Sequence, residues 1–417
     1  MKLIGTIKLR GDKSISHRAL LIASTIKDDS IIKNISLCED VKTTINSLNM
    51  CGITIVNKND KFIVSGGVLS KPTDVINLNN SGTTARLLLG LLAGHGIAAD
   101  FIGDKSLSVR PMDRIIKPLQ MMGAIIKSNN NYLPIKLISG VTKNISYTKN
   151  SESAQIKSSL MFAAMNMNEE SKILYNQCTR DHTERLMRCL NKNSFRKDQK
   201  YISIKKSIID KGFDICIPGD LSNAAFIIAG AVLLKDSNVI IKNVLYNKTR
   251  MGFIDLLIKM GADIKIKNIK NVSGGENVCD LRVKYAGKLI AENIDIDNII
   301  PLVDEIPVLS IIGTQIKGKI TIRNAKELKY KESDRISAVY TNLLKMGANI
   351  NLIKDGFVIS GGKKLYNTNI DCHNDHRVAM SFDILNLFIN NKFKNYSKGL
   401  SQISFPEFKD IITELMK

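Results

Sequence analysis

Two octapeptides of this chain are near twins: GDKSISHR at 11–18 and GDKSLSVR at 103–110. Each brings a lysine, two serines and an arginine into eight residues, the side chains that bind phosphate and carboxylate groups. Three more stretches carry the same theme: TRDHTER with Arg180 and Arg185, KYKESDR with Lys331 and Arg335, and NDHR ending on Arg377. A nucleotide-binding P-loop is excluded, because that motif needs one glycine directly before the lysine and another earlier in the loop. Asp12 and Asp104 precede the two lysines here, and Ile7 and Ala99 occupy the earlier places. Another kind of phosphate site survives. Ser14 and Ser16 stand ahead of the apolar run ALLIAS, where a helix start capped by hydroxyls beside Lys13 and Arg18 would face an anion. The plain alternative is a capped helix with a solvated basic face.

Acids intrude on this basic set. Asp304 and Glu305 precede the apolar run IPVLSIIG, and Glu332 lies between Lys331 and Arg335. A carboxylate weakens an anion site, so it needs a reason; proton transfer beside a lysine is one, and charge balance or helix capping is the other. The segment Asp371–His376 gathers Asp, Cys and His residues, but in no standard ligand order and with Arg377 adjoining. It is read as a helix start that orients Arg377, without metal. No GxSxG elbow supports acyl hydrolysis.

These residues recur because the elements beneath them recur. Six times, small or polar residues lead into a run apolar on nearly every face, starting at Ser14, Asn80, Ser153, Asp220, Asp304 and Asp375, roughly 65 to 85 residues apart. A helix apolar all round must be buried. Amphipathic segments between them end on Gly52, Gly123, Gly261 and Gly347, where left-handed C-caps are expected, and alternating hairpins follow. The period predicts two globular α/β domains of three units each, buried helices inside and sheets outside, with the middle near Pro218-Gly219-Asp220. If the helix starts of both domains face one cleft, their dipoles suit a ligand of several negative charges.

Composition agrees. The 417 residues carry 60 Lys+Arg against 39 Asp+Glu, a net charge of +21, which favours anionic partners. The lysines are spread along the chain without a basic tail, an RNP-like run or zinc-finger spacing, so nucleic acid is not the expected partner. Seven cysteines without a CxxC pair fit a reducing cytoplasm, and no apolar stretch reaches the roughly 18 residues of a membrane span.

With these residues assembled, the chain resembles the 5-enolpyruvylshikimate-3-phosphate synthase family along essentially its whole length. The motifs GDKSISHR, LNNSGTTAR, SVRPMD, SAQIKS, KESDR and NDHR carry the likeness, in the family's order. The resemblance implies a two-domain inside-out α/β barrel, each domain three βαβαββ repeats. One domain would hold 1–11 with 220–417, the other 12–219, and the active site would lie in the cleft between them. It also implies transfer of the enolpyruvyl group of phosphoenolpyruvate to the 5-hydroxyl of shikimate 3-phosphate with release of phosphate, on the route to chorismate and the aromatic amino acids. No cofactor and no metal are implied, and a cytoplasmic monomer is expected.

Carried over residue by residue, Lys13, Ser14, Arg18, Ser153, Ala154, Gln155, Arg180, Asp304 and Lys331 would bind shikimate 3-phosphate. Lys13, Gly82, Arg110, Gln155, Arg335 and Arg377 would bind phosphoenolpyruvate. Asp304, Glu332 and Lys13 would move protons. The chain departs from many members at Glu327, where an asparagine often touches substrate, and at SQIS before Phe405, where one branch has a lysine. Gly82 would leave room for glyphosate, a competitor of phosphoenolpyruvate. Two rivals are weighed. UDP-N-acetylglucosamine enolpyruvyl transferase shares the fold but has Lys-Asn in place of Lys13-Ser14 and a reactive cysteine near the place of Lys105, and this chain has no cysteine between Cys51 and Cys178. A non-catalytic anion-binding protein would have no need of Asp304 and Glu332.

Overall fold

The computed structural model of the protein describes residues 1–148, 153–176, 179–206 and 209–417. The chain divides into two compact units. One comprises Arg10–Pro218 with Asn271–Glu276; the other comprises Met1–Leu9, Gly219–Lys270 and Asn277–Lys417. The divisions fall at Leu9/Arg10 and Pro218/Gly219, a residue or two before the positions expected at Gly11 and Gly219. Local hydrogen bonding accounts for that: the Asp12 N–H donates to the Pro218 carbonyl within one unit, and the Gly219 N–H donates to Asn243 O within the other.

In the first unit three buried helices form the interior: Lys13–Ala23, Gly82–Gly94 and Ala154–Ala164. Among the described residues, three four-stranded sheets accompany them. Each sheet is a three-stranded antiparallel set joined in parallel by a short strand from elsewhere in the unit: Ile76–Asn77 beside Ala99–Ile102, and Ser146–Tyr147 beside Ser171–Leu174. Asp214–Cys216 beside Ser30–Lys33 ties the end of the unit back to its beginning. The expected hairpins form, as in Thr54–Lys58 with Lys61–Ser65, turning through Asn59 and Asp60 at positive φ. Close approach of two buried helices is allowed by glycine. A β-carbon on Gly90 would lie 2.4 Å from the Ser159 carbonyl, and one on Gly94 would lie 2.7 Å from that of Phe162.

The second unit follows the same plan with buried helices Leu221–Leu233, Ile306–Gly313 and His376–Asn390. Every residue of Leu221–Leu233 is buried, as a run without a polar face requires. Two four-stranded sheets belong to it, one including Ile4–Lys8 parallel to Asn238–Tyr246, the other Ile290–Ile296 parallel to Lys317–Ile322. The sixth repeat departs from the expected pattern. No strand is formed between Ser360 and Asp375, nor a sheet after Asn390; a 3₁₀ turn Leu400–Ile403 and the helix Phe408–Leu415 follow instead. Those stretches, GGKKLYNTNI and NKFKNYSKGL, lack the alternation that half-buries a strand. The glycines expected as C-caps, Gly52, Gly123, Gly261 and Gly347, all have φ between 85° and 93°. Among the described residues, no helix is long and apolar enough to cross a membrane.

Candidate active site

In the first unit the three buried helices begin beside one another, and side chains stitch the starts together. Asp12 caps Lys13–Ala23, its carboxylate accepting from the Ile15 N–H at 3.0 Å. The serines expected to cap do not: Ser14 lies in the first turn, and Ser16 donates to the Asp12 carbonyl and accepts from the Ser36 N–H. An aspartate at the N-cap reaches the amide three residues on, which a hydroxyl inside the first turn cannot. Lys13 projects from the first turn onto Asp40, at 2.8 Å. Arg18 is 3% exposed and each of its nitrogens is anchored: Nε donates to Thr183 Oγ1 at 2.8 Å, Nη1 to the Ser14 carbonyl at 2.9 Å and Nη2 to Ser158 Oγ at 3.0 Å. It therefore joins the first helix to the third.

The second helix joins them through Gln155, whose amide donates to Thr83 Oγ1 at 3.1 Å and accepts from Arg86 Nη1 at 3.2 Å. Arg110 reaches the same helix start, where its Nη2 donates to Asn80 Oδ1 at 2.8 Å and to Ser106 Oγ at 3.1 Å. Gly82 lies between the two arginines, close to Nη1 of each. Ser153 stands at the N-cap of Ala154–Ala164, and Ala154 begins that helix. The Arg180 carbonyl is bound by Lys157 Nζ at 2.9 Å. Lys13, Ser14, Arg18, Gly82, Arg110, Ser153, Ala154, Gln155 and Arg180 thus all belong to this unit, around positive helix ends. Beneath them His17 is fully buried, its Nδ1 2.6 Å from Thr44 Oγ1, which lies 2.7 Å from Thr84 Oγ1. Burial, then the positive charges of Lys13 and Arg18, hold its pKa well below the ordinary histidine value.

In the second unit the cluster centres on Arg335, only 1% exposed, at the start of the helix Arg335–Lys345. Its Nε donates to Asp375 Oδ2 at 2.8 Å, its Nη2 to Glu332 Oε2 at 2.7 Å, and its Nη1 lies 3.5 Å from Asp304 Oδ1. Burial works against the guanidinium's charge, but Asp375, Glu332 and Asp304 more than offset it and raise its pKa further. Asp375 is itself fully buried, and against that burial Arg335 holds its carboxyl below the usual carboxylate range. The same carboxylate caps the last buried helix, accepting from the Arg377 and Val378 N–H groups. Asp304 accepts from Lys331 Nζ at 3.3 Å through its carboxylate and from Arg377 Nη1 at 3.4 Å through its carbonyl. Asp304, Lys331, Glu332, Arg335 and Arg377 are therefore brought together.

The 371–376 segment fulfils the capping role expected of it. The one group of described residues whose atoms are close enough to ligate a metal is Asp181, His182 and Glu276. His182 Nδ1 lies 2.7 Å from Glu276, and Arg185 Nε lies 2.8 Å from Asp181 and 3.7 Å from Glu276. A guanidinium at that distance makes this an ion-pair network rather than a cation site. Sequence reasoning gave no role to Asp40, Thr183 or Glu184, whose types are ordinary in helix first turns. It also passed over Lys157, although a lysine inside the apolar run of SAQIKSSLMFAA is a signal that an ion pair must be buried there.

Comparison with known proteins identifies the family. The pattern defining the EPSP synthase (3-phosphoshikimate 1-carboxyvinyltransferase) family matches residues 1–412. The 3-phosphoshikimate 1-carboxyvinyltransferase of Thermodesulfovibrio yellowstonii is 40% identical over 99% of this chain and 97% of its own. That of Petrotoga mobilis is 40% identical over 98% and 96%. Among solved structures, EPSP synthase from Acinetobacter baumannii superposes with a TM-score of 0.84 at 29% identity, covering 99% of this chain and 96% of that one. The enolpyruvyl transferase NikO from Streptomyces tendae shares the fold, with a TM-score of 0.76 at 13% identity over 99% and 95% of the two chains. Neither UDP-N-acetylglucosamine enolpyruvyl transfer nor a non-catalytic role is favoured by these relatives. The chain is an enolpyruvyl transferase of two α/β units with buried helices, and it belongs to the EPSP synthase family.

Proposed function

We propose that the two clusters act as halves of one active site in which phosphoenolpyruvate and shikimate 3-phosphate react. Lys13, Ser14, Arg18, Ser153, Ala154, Gln155 and Arg180 bind the phosphorylated shikimate, with Asp304 and Lys331 at its reacting hydroxyl. Arg110, Arg335 and Arg377, with Lys13, Gln155 and the backbone at Gly82, hold phosphoenolpyruvate. Each substrate carries a phosphate and a carboxylate, which the cation count of the two clusters matches.

The observation that carries this reading is the carboxylate of Asp304 held between two cations, Lys331 at 3.3 Å and Arg335 at 3.5 Å, with Arg377 at the carbonyl of the same residue. An anion-binding protein gains nothing from that acid; a transferase needs it. In the addition step the acceptor hydroxyl attacks carbon 2 of phosphoenolpyruvate, Asp304 takes the hydroxyl proton, and carbon 3 receives a proton from the Glu332–Lys13 side of the site. In the elimination step phosphate leaves carbon 2 and the methyl group returns a proton, restoring the enol ether. The product lies on the route to chorismate and the aromatic amino acids. The protein works as a cytoplasmic monomer on these two small anions, without a cofactor.

The test is phosphate release from phosphoenolpyruvate with shikimate 3-phosphate as acceptor, beside a run with UDP-N-acetylglucosamine. Release with the first acceptor only, lost in Asp304→Ala and in Lys13→Ala, is the expected result. Release with the second only would replace the acceptor, and full activity in both variants would remove these residues from the chemistry.

A further inference from the structure

Lys157 and Glu184 form an ion pair of 2.6 Å in the first unit, with side chains 4% and 3% exposed. Such burial is costly, because each charge loses its hydration and the mutual attraction returns the loss only in good geometry. An apolar pair of similar size would serve packing as well. The remaining donors of Lys157 show what the charge does instead. A lysine has three, and beyond Glu184 Nζ donates to Thr179 Oγ1 at 3.1 Å and to the Arg180 carbonyl at 2.9 Å. The lysine fastens the backbone that carries Arg180 to the helix Ala154–Ala164, whose first residues are the Ser153-Ala154-Gln155 set.

The neighbouring residues on that helix and on the helix His182–Leu190 do the same for Arg18. Ser158 follows Lys157 and Thr183 precedes Glu184; their hydroxyls lie 2.7 Å apart and accept the Nη2 and Nε donors of Arg18. Two consecutive residues of one helix and two of another thus fix Arg18 and the Arg180 backbone against the same pair of turns. Below them the Tyr175 ring lies 5.6 Å from Lys157 Nζ, and Tyr175 Oη is anchored on the Asp198 carbonyl at 2.8 Å.

We propose that Lys157 and Glu184 are a positioning pair, which sets the Arg180 backbone relative to Arg18 so that the phosphate of shikimate 3-phosphate meets two pre-set guanidinium groups. Lys157 does not touch the substrate. Its ammonium group holds the Arg180 carbonyl, and the Glu184 carboxylate lies against that ammonium in a buried place. This inference rests on the reading of Arg18 and Arg180 as phosphate ligands.

The experiment measures binding of shikimate 3-phosphate by calorimetry, without phosphoenolpyruvate, in Lys157→Met/Glu184→Leu, in Arg180→Ala and in the triple variant. The apolar pair keeps volume and removes both charges, so the thermal midpoint stays at or above that of the parent. The expected dissociation constant is raised at least about tenfold in both the pair variant and Arg180→Ala. The triple variant should be no weaker than Arg180→Ala alone, because a positioning effect has nothing left to position, whereas a merely structural loss would add to it. Parent-like affinity in the pair variant, with Arg180→Ala impaired, overturns the positioning role alone. Parent-like affinity in Arg180→Ala overturns the phosphate-ligand reading and the inference with it. Should the pair variant not fold, Thr179→Val removes one acceptor of Lys157 and must weaken binding severalfold; unchanged affinity there overturns the proposal.

Discussion

Gly82→Ala adds a single methyl group where the site has no room for one. Gly82 opens the helix Gly82–Gly94 behind the Ser81 cap, and its φ is not in the left-handed region, so alanine brings no backbone strain. The added β-carbon would lie 2.6 Å from Arg86 Nη1 and 3.3 Å from Arg110 Nη1. Neither group is backbone, so both can yield, but Arg86 must withdraw by about 0.8 Å to reach ordinary contact. That withdrawal breaks or lengthens its 3.2 Å bond to Gln155 and displaces the guanidinium beside the proposed phosphoenolpyruvate ligand Arg110. One charge-assisted bond is worth about 1.5–3 kcal/mol. At about 1.4 kcal/mol per factor of ten, partial loss raises the KM for phosphoenolpyruvate about tenfold, and complete loss about a hundredfold. Stability moves the other way, because alanine costs a helix less than glycine by about 0.5–1 kcal/mol. The assay is steady-state phosphate release with each substrate varied in turn, together with a thermal melt. The expected outcome is a raised KM for phosphoenolpyruvate and an unlowered melting midpoint. Glyphosate inhibition should weaken with it. A phosphoenolpyruvate KM within about twofold of the parent, in a folded variant, would refute the packing argument.

Three other outcomes are expected. Arg335→Met strands the buried carboxylate of Asp375 and should lower stability to urea by about 3–5 kcal/mol, part of which Arg335→Met/Asp375→Asn restores because the amide still caps Arg377 and Val378; equal loss in both variants would refute the pairing. His17 remains neutral when folded but takes up a proton below about pH 6.5 when unfolded, so its contribution to stability is lost as pH falls through that value. Between pH 7.5 and 5.5 the loss is about 1.4 kcal/mol, and His17→Asn should show a correspondingly shallower dependence in urea titrations, whatever its absolute stability. Lys331→Met, which removes a cation 3.3 Å from the Asp304 carboxylate, should depress turnover by at least about tenfold while leaving the melting midpoint unchanged, because Lys331 is partly exposed; a normal rate would detach Lys331 from the reaction.

Much of this was legible in the sequence for a physical reason. A helix apolar on all faces can only be interior, so six such runs at one spacing announce a repeat before any motif is considered. The glycines after the amphipathic segments likewise require positive φ, and they have it. What the sequence concealed were the groups whose type is unremarkable until a partner arrives from far along the chain. Asp40 looks like any acid in a helix first turn, and only the fold brings Lys13 to it from 27 residues away. Glu184 in the same position conceals a buried ion pair with Lys157. The capping residue of the first helix was misjudged by two positions, because aspartate and serine are both good caps and the local sequence offers both. The sixth repeat was overextended, because the helical part of the pattern persists there while the strand alternation does not.

The distribution of acids among the cations follows from one requirement. An arginine buried as deeply as Arg335 cannot be left for a ligand to neutralise, because the empty site would then contain an uncompensated charge at a cost of several kcal/mol. Asp375 and Glu332 remove that cost through Nε and Nη2. Full neutralisation would, however, leave nothing to attract an anionic substrate. The geometry resolves this by spending the two carboxylates on one side of the guanidinium and leaving Nη1 toward Asp304 at a longer 3.5 Å, where Lys331 also competes for the same oxygen. The Asp304 carboxylate thus lies further from Arg335 than that of Asp375 does, as suits the proposed acceptor of a substrate hydroxyl proton. In the other unit Lys13 pairs with Asp40, while Arg18 donates to two hydroxyls and a carbonyl, which anchor its direction.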